Sequence, residues 1–199
     1  MHKAKKQQTK SSKNQTKIGA IRIISGKYRG RKLPVLMAEG LRPTTDRVKE
    51  TLFNWLMPYI NASNCLDCFA GAGSLGFEAL SRGASNVTLI ELDRSAAKQL
   101  NDNKKLLNAQ NLNVINTNSL QYLAQPAPMN YDIVFIDPPF HQGLAEEACS
   151  LVNNGWLNKN ALIYLEVESS GTALSLPENW DLLKEKIAGQ VAYRLYQAT

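Results

Sequence analysis

The chain has 199 residues, of which 44% are hydrophobic and 20% charged, with a formal net charge of +6, so one compact domain with a sizeable core is expected. No apolar run approaches the roughly 20 residues that cross a bilayer, and the N-terminus lacks the apolar stretch of a secretory signal, which predicts a soluble, cytoplasmic protein with no membrane partner. Three cysteines, Cys65, Cys68 and Cys149, without a second pair at zinc spacing, argue against disulfides and a metal site.

The positive charge is concentrated near the N-terminus. Residues 1–17 carry six lysines and no acid, while the rest of the chain balances 17 basic against 17 acidic side chains. Such a polar segment cannot bury enough apolar surface to order itself, so residues 1–17 are predicted to be a disordered basic tail. Residues 18–49 carry eight Lys or Arg against two acids. This asymmetry favours a polyanionic partner, with an inert, solvated tail as the alternative.

A basic hairpin and a helix are predicted next. Residues 21–35, IRIISGKYRGRKLPV, break at Ser25-Gly26 and Arg29-Gly30, as short strands joined by turns do. After Pro43, TTDRVKETLFNWL offers Thr and Asp as cap residues and one apolar face, which predicts a helix ending near Pro58. Residues 18–62 are expected to pack as an N-terminal unit on a domain formed by residues 63–199. The candidate RNA-binding side chains of this unit are Lys27, Arg29, Arg31, Lys32 and Arg42.

From residue 64 onward, short apolar runs alternate with helical patterns, which indicates βαβ units and an α/β, doubly wound, mostly parallel sheet. The predicted strands are CLDCFA, VTLIEL, LNVINT, YDIVFID and ALIYLEVE. Helices are predicted over residues 74–82, 95–107, 119–124 and 144–153. The last segment, DLLKEKIAGQVAYRLYQ, contains two extended stretches around Ala188-Gly189 and predicts an antiparallel hairpin at the sheet edge.

The stretch LDCFAGAGSLGFEAL carries a G-x-G-x-x-G pattern between a strand and a helix, a geometry that a dinucleotide or an adenosylmethionine can exploit. Glu91 closes the next strand, where a carboxylate can accept hydrogen bonds from both ribose hydroxyls of either cofactor. Asp67 favours S-adenosylmethionine, because its charge suits the ammonium and sulfonium groups and would repel a pyrophosphate. The alternative for Asp67 is a carboxylate that caps the turn. Further candidates for contact with the cofactor are Phe69, Gly71, Gly73 and Leu92.

The strand YDIVFID ends in Asp137-Pro138-Pro139-Phe140, a rigid corner that faces the same crevice as the glycine loop. Methylation of an exocyclic base amine requires the nitrogen to be made more nucleophilic and held in line with the methyl group. Asp137 can accept one amine proton, the carbonyl of Pro138 can accept the second, and Phe140 can stack on the base. No nucleophilic cysteine is required, and the three cysteines are interpreted as packing residues.

At these residues the chain resembles the amino-methyltransferases with an Asp/Asn-Pro-Pro-aromatic motif, and within them the bacterial 16S ribosomal RNA guanine-N2 methyltransferases. The resemblance extends from about Ile21 to the end, through SGKYRGRKL, LRPTTDRVKETLFNWL, DIVFIDPPF, NGWL and GQVAYRLYQ. It implies a seven-stranded Rossmann-like methyltransferase sheet, S-adenosylmethionine as the donor, and a guanine of small-subunit rRNA, presented on a partly or fully assembled small ribosomal subunit, as the acceptor.

The resemblance also implies roles for single positions. Asp67, Gly71 and Gly73 would border the methionine part of the donor, Glu91 its ribose, and Asp137 with Phe140 the base. Where many methyltransferases place an aspartate for the adenine amine, this chain has Asn118-Ser119, and the amide oxygen of Asn118 can accept the same hydrogen bond without charge. Four residues match a family motif but equally suit a helix cap and a surface ion pair: Arg42, Thr44, Asp46 and Arg47.

Other functions remain open at this stage. A DNA adenine-N6 methyltransferase would use the same Asp-Pro-Pro-aromatic chemistry, although no large target-recognition segment is evident. A non-catalytic RNA-binding assembly factor would be expected to lose Asp137 or the glycines, and neither is lost. A dehydrogenase would bind NAD at the glycine loop. A monomer is expected, whereas the sequence does not define the target nucleotide or whether naked RNA suffices as substrate.

Overall fold

A computed structural model of the protein describes residues 18–36, 45–139, 143–170 and 174–199. The basic tail, Arg42, Thr44 and Phe140 therefore lie outside the described residues. The elements, in chain order, are β1 (Ile18–Arg22), β2 (Lys32–Leu36), α1 (Asp46–Leu56), β3 (Asn64–Asp67), α2 (Ser74–Ser81), β4 (Asn86–Glu91), α3 (Arg94–Leu106), β5 (Leu112–Asn116), α4 (Ser119–Leu123), β6 (Tyr131–Ile136), α5 (Leu144–Asn153), β7 (Leu157–Glu168), β8 (Trp180–Ala188) and β9 (Val191–Ala198).

The central sheet has seven strands in the order β5-β4-β3-β6-β7-β9-β8. Strands β3 to β7 pair in parallel, and β9 is antiparallel to both β7 and β8. This confirms the predicted α/β, mostly parallel sheet with an antiparallel C-terminal hairpin. The strand order reverses between β3 and β6, so the crevice at their carboxyl ends is the place where open α/β sheets bind ligands.

Apolar side chains cover both faces of the sheet. The hairpin β1–β2 and helices α1, α2 and α3 contribute to one buried cluster, and α4 and α5 to the other. Trp156 is fully buried in the second cluster, where its indole N–H donates to the carbonyl of Leu123 at 2.9 Å. None of the helices within the described ranges is long and apolar enough to cross a membrane.

The N-terminal hairpin and helix pack directly on this sheet domain. Lys49 of α1 is almost fully buried, and its ammonium donates to the carbonyl of Arg22 at 2.7 Å and lies 3.5 Å from the carboxylate of Asp46. The amide of Asn103 in α3 donates to the carbonyl of Pro34 at 2.9 Å. Asp46, which is exposed, therefore forms an ion pair with a buried lysine, and the N-cap of α1 is Thr45. Helix α1 ends at Leu56, just before Pro58.

The turn between β1 and β2 is fixed to the C-terminal half of α2. The Glu78 carboxylate accepts the backbone N–H groups of Ile24 at 2.8 Å and Ser25 at 3.1 Å. The Ser81 hydroxyl accepts the N–H of Tyr28 at 2.9 Å and donates to the carbonyl of Ser25 at 2.5 Å. Because α2 starts at the carboxyl edge of the sheet and runs back towards the amino edge, the hairpin turn lies at the amino edge, roughly 12 Å along the helix from Gly73.

Candidate active site

Four loops meet at the carboxyl edge of the sheet. They follow β3, β4, β5 and β6, whose last residues are Asp67, Glu91, Asn116 and Ile136. In the paired register, Asp67 lies opposite Leu89 on β4 and Phe135 on β6, so the residues that follow these positions stand side by side. The structure thereby brings together the glycine loop, Glu91 and Asp137, which are separated in the sequence.

The glycines of the β3–α2 loop have two different tasks. Gly71 and Gly73 have φ angles of 51° and 77°, in the left-handed region that favours glycine, and Gly73 is the N-cap of α2. A Cβ on Gly76 would lie 2.1 Å from Cδ2 of Leu89, so this glycine allows α2 to pack closely on β4. The first two glycines shape the loop, and the third belongs to the core.

Glu91 connects two of the loops. One carboxylate oxygen accepts the N–H of Gly71 and the other accepts the N–H of Asp93, both at 2.7 Å. Each oxygen retains a further lone pair, so the carboxylate can also accept two vicinal hydroxyls. Leu92, which follows it, is 67% exposed and offers an apolar surface next to these acceptors. Phe69 is half-buried against the second apolar cluster.

Asp67 is only 2% exposed. Its pKa is raised to about 7, chiefly by burial and to a lesser extent by the nearby Glu91 carboxylate, while hydrogen bonds from the backbone N–H groups of Gly76 and Phe69 oppose the shift. Its carboxylate thus spans the turn, as the alternative interpretation proposed, and its charge lies within the crevice wall. A cation bound in the crevice would favour the ionised form.

Asn118 and Ser119 begin helix α4. The side-chain oxygen of Asn118 accepts the N–H of Gln121 at 3.0 Å and caps the helix, while retaining a second lone pair. The hydroxyl of Ser119 is buried and donates to the carbonyl of Cys68. The contact of Asn118 with adenine stays a prediction, and the Ser119 side chain ties α4 to the loop after β3.

Strand β6 leads into the proline corner at this edge. Asp137 is half-buried, Pro138 is buried and Pro139 is exposed, whereas Phe140 lies outside the described residues. Burial, followed by the charges of Glu166 and Asp137, raises the pKa of Tyr164 well above its usual value. Asp137 therefore lies near the hydroxyl of Tyr164 on the neighbouring strand β7.

The sequence interpretation missed Glu166. It lies near the end of β7, and the phenol of Tyr164 donates to its carboxylate at 2.8 Å. The signal was present, because Glu166 is an acidic residue near the end of the predicted strand ALIYLEVE, which lies one strand away from the proline corner. The pairing of β6 with β7, which makes the two positions neighbours, is not encoded locally.

The cysteines are buried and unreactive. Desolvation raises the pKa of Cys65 and of Cys149 to about 12, and that of Cys68 well above its usual value. A thiolate nucleophile is accordingly disfavoured at neutral pH. Across the parts of the chain that the structure describes, no group of three His, Cys, Asp or Glu side chains could hold a metal ion.

Four of the predicted basic side chains lie at the other edge of the sheet from this crevice. Lys27, Arg29, Arg31 and Lys32 are exposed in and beside the hairpin turn at the amino edge. Two open clefts, of about 410 and 320 Å³, also lie elsewhere, one along the free edge strand β5 and the other at the amino edge near Asp132. We place the candidate site at the carboxyl edge, because the polar groups converge there and not in either cleft.

Comparisons with known proteins find relatives that match most of the chain. The model of the family described as "Conserved hypothetical protein 95" matches residues 21–197. A Haemophilus influenzae protein named ribosomal RNA small subunit methyltransferase D is 58% identical over 97% of this chain and 99% of its own length, and its Escherichia coli namesake is 56% identical over 92% and 93%. A solved Escherichia coli structure, a methyltransferase candidate, has a TM-score of 0.84 at 55% identity and covers 90% of this chain and 98% of its own.

Proposed function

Since this chain belongs to the Conserved hypothetical protein 95 family and is an S-adenosylmethionine-dependent methyltransferase of small-subunit ribosomal RNA, we propose that it methylates the exocyclic N2 of a guanine. The observation that carries the proposal is the placement of Asp137-Pro138 beside the glycine loop and Glu91, at the edge where the strand order reverses. This arrangement supports a methyl donor and a base amine meeting in one crevice.

The residues present fit S-adenosylmethionine, which supplies an electrophilic methyl group on a sulfonium. Glu91 can accept both ribose hydroxyls while it holds Gly71 and Asp93. The loop at Gly71 and Gly73 can border the methionine part, with the charge of Asp67 behind it. Further contacts with the donor are proposed for Phe69, for Leu92 and for the Asn118-Ser119 turn, where Asn118 would accept a hydrogen bond from the adenine amine.

The acceptor is held from the other side of the crevice. Asp137 accepts one hydrogen of the amine and the carbonyl of Pro138 the other, which directs the nitrogen lone pair at the methyl carbon. The N–C bond forms as the C–S bond breaks, S-adenosylhomocysteine leaves, and the excess proton passes to Asp137 and then to water. Phe140 is proposed to stack on the base.

Positive charge supports an RNA substrate. Among the described residues, Lys27, Arg29, Arg31 and Lys32 are exposed together, and we propose that they bind phosphates, with Arg42 and the tail as further contacts. The proposed partner is the 16S rRNA of an assembled or assembling small subunit. A monomeric, cytoplasmic enzyme is proposed with it.

The proposal predicts that Asp137→Ala abolishes methyl transfer while preserving donor binding, because Asp137 acts on the acceptor. Small subunits from a strain lacking the protein are incubated with labelled S-adenosylmethionine and each variant, and the nucleosides of the 16S rRNA are identified by mass spectrometry. Wild type and the control Phe140→Tyr are expected to form N2-methylguanosine, and Phe140→Ala is not. A near-normal single-turnover rate for Asp137→Ala would contradict the mechanism, and absence of N2-methylguanosine with wild type would contradict the function.

A further inference from the structure

Glu166 stands next to the catalytic corner. In the parallel register, Ile136 of β6 lies opposite Leu165 of β7, so Asp137 and Glu166 are the next pair of positions along the two strands. The side chains of Ile136 and Leu165 belong to the same apolar cluster on one face of the sheet. By strand alternation, Asp137 and Glu166 both face the opposite side.

The acidic positions of the crevice share that side. Leu66 and Ile90 belong to the same cluster as Ile136, so the residues after them, Asp67 and Glu91, have the same orientation as Asp137 and Glu166. Carboxylates on one face of the sheet thus line both the end of the crevice proposed for the methyl donor and the end proposed for the base. Glu166 lies at the acceptor end, beyond Asp137 from the glycine loop, in the strand order β4-β3-β6-β7.

The carboxylate of Glu166 is held in a defined position. Tyr164, two residues earlier on the same face, is fully buried and donates its phenol to Glu166 at 2.8 Å. The ring of Tyr164 is fixed against Phe135, with ring centroids 6.4 Å apart in an edge-on arrangement. Glu166 itself remains partly exposed. One oxygen of this carboxylate is engaged by the buried Tyr164. The other oxygen is therefore available, at the rim of the proposed base site, to accept a hydrogen bond from a ligand.

We propose that Glu166 is a specificity-determining residue that accepts the N1–H of the target guanine while Asp137 accepts a hydrogen of its N2 amine. The inference rests on the proposed function and extends it to the choice of base. Guanine carries N1–H and N2–H donors side by side on its Watson–Crick edge, and a pair of neighbouring carboxylates matches that pattern. Adenine presents an unprotonated N1 next to its amine, which a carboxylate repels.

The electrostatic surroundings agree with this role. Burial raises the pKa of Glu166, and the hydrogen bond from Tyr164 partly opposes that shift, in the direction of the charged acceptor. A partly desolvated carboxylate forms a stronger hydrogen bond with N1–H than one in bulk water does.

The test compares guanine with 2-aminopurine, which keeps the 2-amine but has an unprotonated N1. Once the target position is mapped, 16S rRNA carrying either base there is assembled into particles, and kcat/KM is measured for wild type and Glu166→Gln. Because the phenol of Tyr164 donates to an oxygen at this position, the amide of Glu166→Gln should present its NH2 group to the ligand, where it opposes the N1–H of guanine but can donate to the unprotonated N1 of 2-aminopurine. We therefore expect Glu166→Gln to lower kcat/KM for guanine by about tenfold or more, the effect of one charge-assisted hydrogen bond, and to lose much less with 2-aminopurine. The ratio of kcat/KM for guanine to kcat/KM for 2-aminopurine should therefore fall.

Two further variants make the result specific. Glu178→Gln makes the same change at an exposed position before β8, at the opposite edge of the sheet, and should leave the ratio unaltered. Tyr164→Phe removes the group that orients Glu166. It should also lower the ratio of kcat/KM for guanine to that for 2-aminopurine, but by less than Glu166→Gln does, and it should leave the binding of S-adenosylhomocysteine unchanged. Should Glu166→Gln fail to fold, Tyr164→Phe alone decides.

Failure of the role of Glu166 and failure of the proposed function would give different results. A guanine to 2-aminopurine ratio that stays at the wild-type value in folded Glu166→Gln, or in Tyr164→Phe if only that variant folds, overturns the role of Glu166. Wild-type enzyme that forms no N2-methylguanosine at all overturns the proposed function instead, whatever the variants do.

Discussion

Asp67 shows how a single side chain can be important for both the donor and the fold. Its carboxyl is buried, and its pKa of about 7 lies above the ordinary value of 3.8. Between those two pH values the folded state binds more protons at this group than the unfolded state does, so the contribution of Asp67 to stability is fully present below about pH 4 and is lost as the pH rises through about 7. A bound cation shifts the balance the other way, because it stabilises the charged carboxylate.

The prediction is that Asp67→Asn removes a pH dependence from both stability and donor binding. In wild type, the contribution of this group to the free energy of unfolding should decrease from pH 4 to pH 7, and affinity for S-adenosylmethionine should increase across pH 6 to 8 with release of a proton. Thermal unfolding and calorimetry in buffers of different ionisation enthalpy measure the two effects. Identical pH profiles for wild type and Asp67→Asn would exclude Asp67 as the titrating group.

The sequence was informative about the residues of the donor side, and the reason is physical. Glycines that must adopt positive φ and a carboxylate at a strand end leave local signals, as at Gly71, Gly73 and Glu91. The burial of Asp67 and the position of Glu166 beside Asp137 depend on how strands pair, which is a property of the whole sheet. Sequence reasoning therefore identified the motifs and missed the neighbour that pairing supplies.

At the level of elements, the basic hairpin is fixed by α2. Glu78 is fully buried, and besides the two backbone N–H groups of the turn it accepts the guanidinium of Arg82 at 2.7 Å. Gly26 has φ of 81°, and a Cβ there would lie 1.9 Å from the carbonyl oxygen of Ser81. The turn is thereby held against the helix, which fixes the backbone positions from which its cations extend.

The prediction is that Gly26→Ala detaches the turn whereas Gly30→Ala does not. The φ angles of the two glycines are 81° and 82°, so the alanines suffer the same backbone strain, but nothing lies within 4 Å of a Cβ on Gly30. We expect Gly26→Ala to unfold at lower temperature than Gly30→Ala and to bind small subunits more weakly, with unchanged affinity for S-adenosylhomocysteine. Matching melting temperatures and affinities in the two variants would show that docking of the turn is unimportant.

Sequence periodicity predicted the helices and strands well. The start of β7 and the docking of the hairpin depend on tertiary pairing, which periodicity does not contain. Helix α3 occupies Arg94–Leu106, against a prediction of 95–107. Strand β7 starts at Leu157, four residues before the predicted 161, because Leu157 pairs with Tyr131 ahead of an irregularity in the register. The predicted hairpin exists, but its docking depends on hydrogen bonds between residues more than 50 apart in the chain, which no local pattern contains.

At the scale of the whole molecule, the exposed cations of the hairpin turn and the candidate active site lie on opposite edges of the sheet. The hairpin turn lies at the amino edge, while Asp137 and Glu91 lie at the carboxyl edge. An RNA that places a base in the crevice and also contacts Lys27 or Arg29 must extend along one side of the domain. Phosphate contacts at this distance position the RNA and raise affinity, but they do not act on the reacting atoms.

The basic tail is also expected to contact phosphates and not the reacting atoms. Its removal should therefore raise KM without lowering kcat. Six lysines without an acid in residues 1–17 supply the whole net charge of +6, and the tail joins β1 at Ile18, the end of the hairpin away from its turn. Each phosphate neutralised adds about 0.7 to 0.9 to the slope of log affinity against log salt, so deletion of residues 1–17 should flatten the slope by a few units if several lysines engage.

Salt series with small subunits measure this slope for the full-length and truncated proteins. A control variant with Arg29→Gln and Arg31→Gln in an otherwise intact chain should flatten the slope by about two units at most, because it removes two fixed charges. The lysines of the tail and the arginines of the turn contribute independently if they contact different phosphates, so the effects of the truncation and the double substitution should add. If the tail merely keeps the protein in solution, the full-length and truncated slopes will superimpose, and only the arginine control will change the salt dependence.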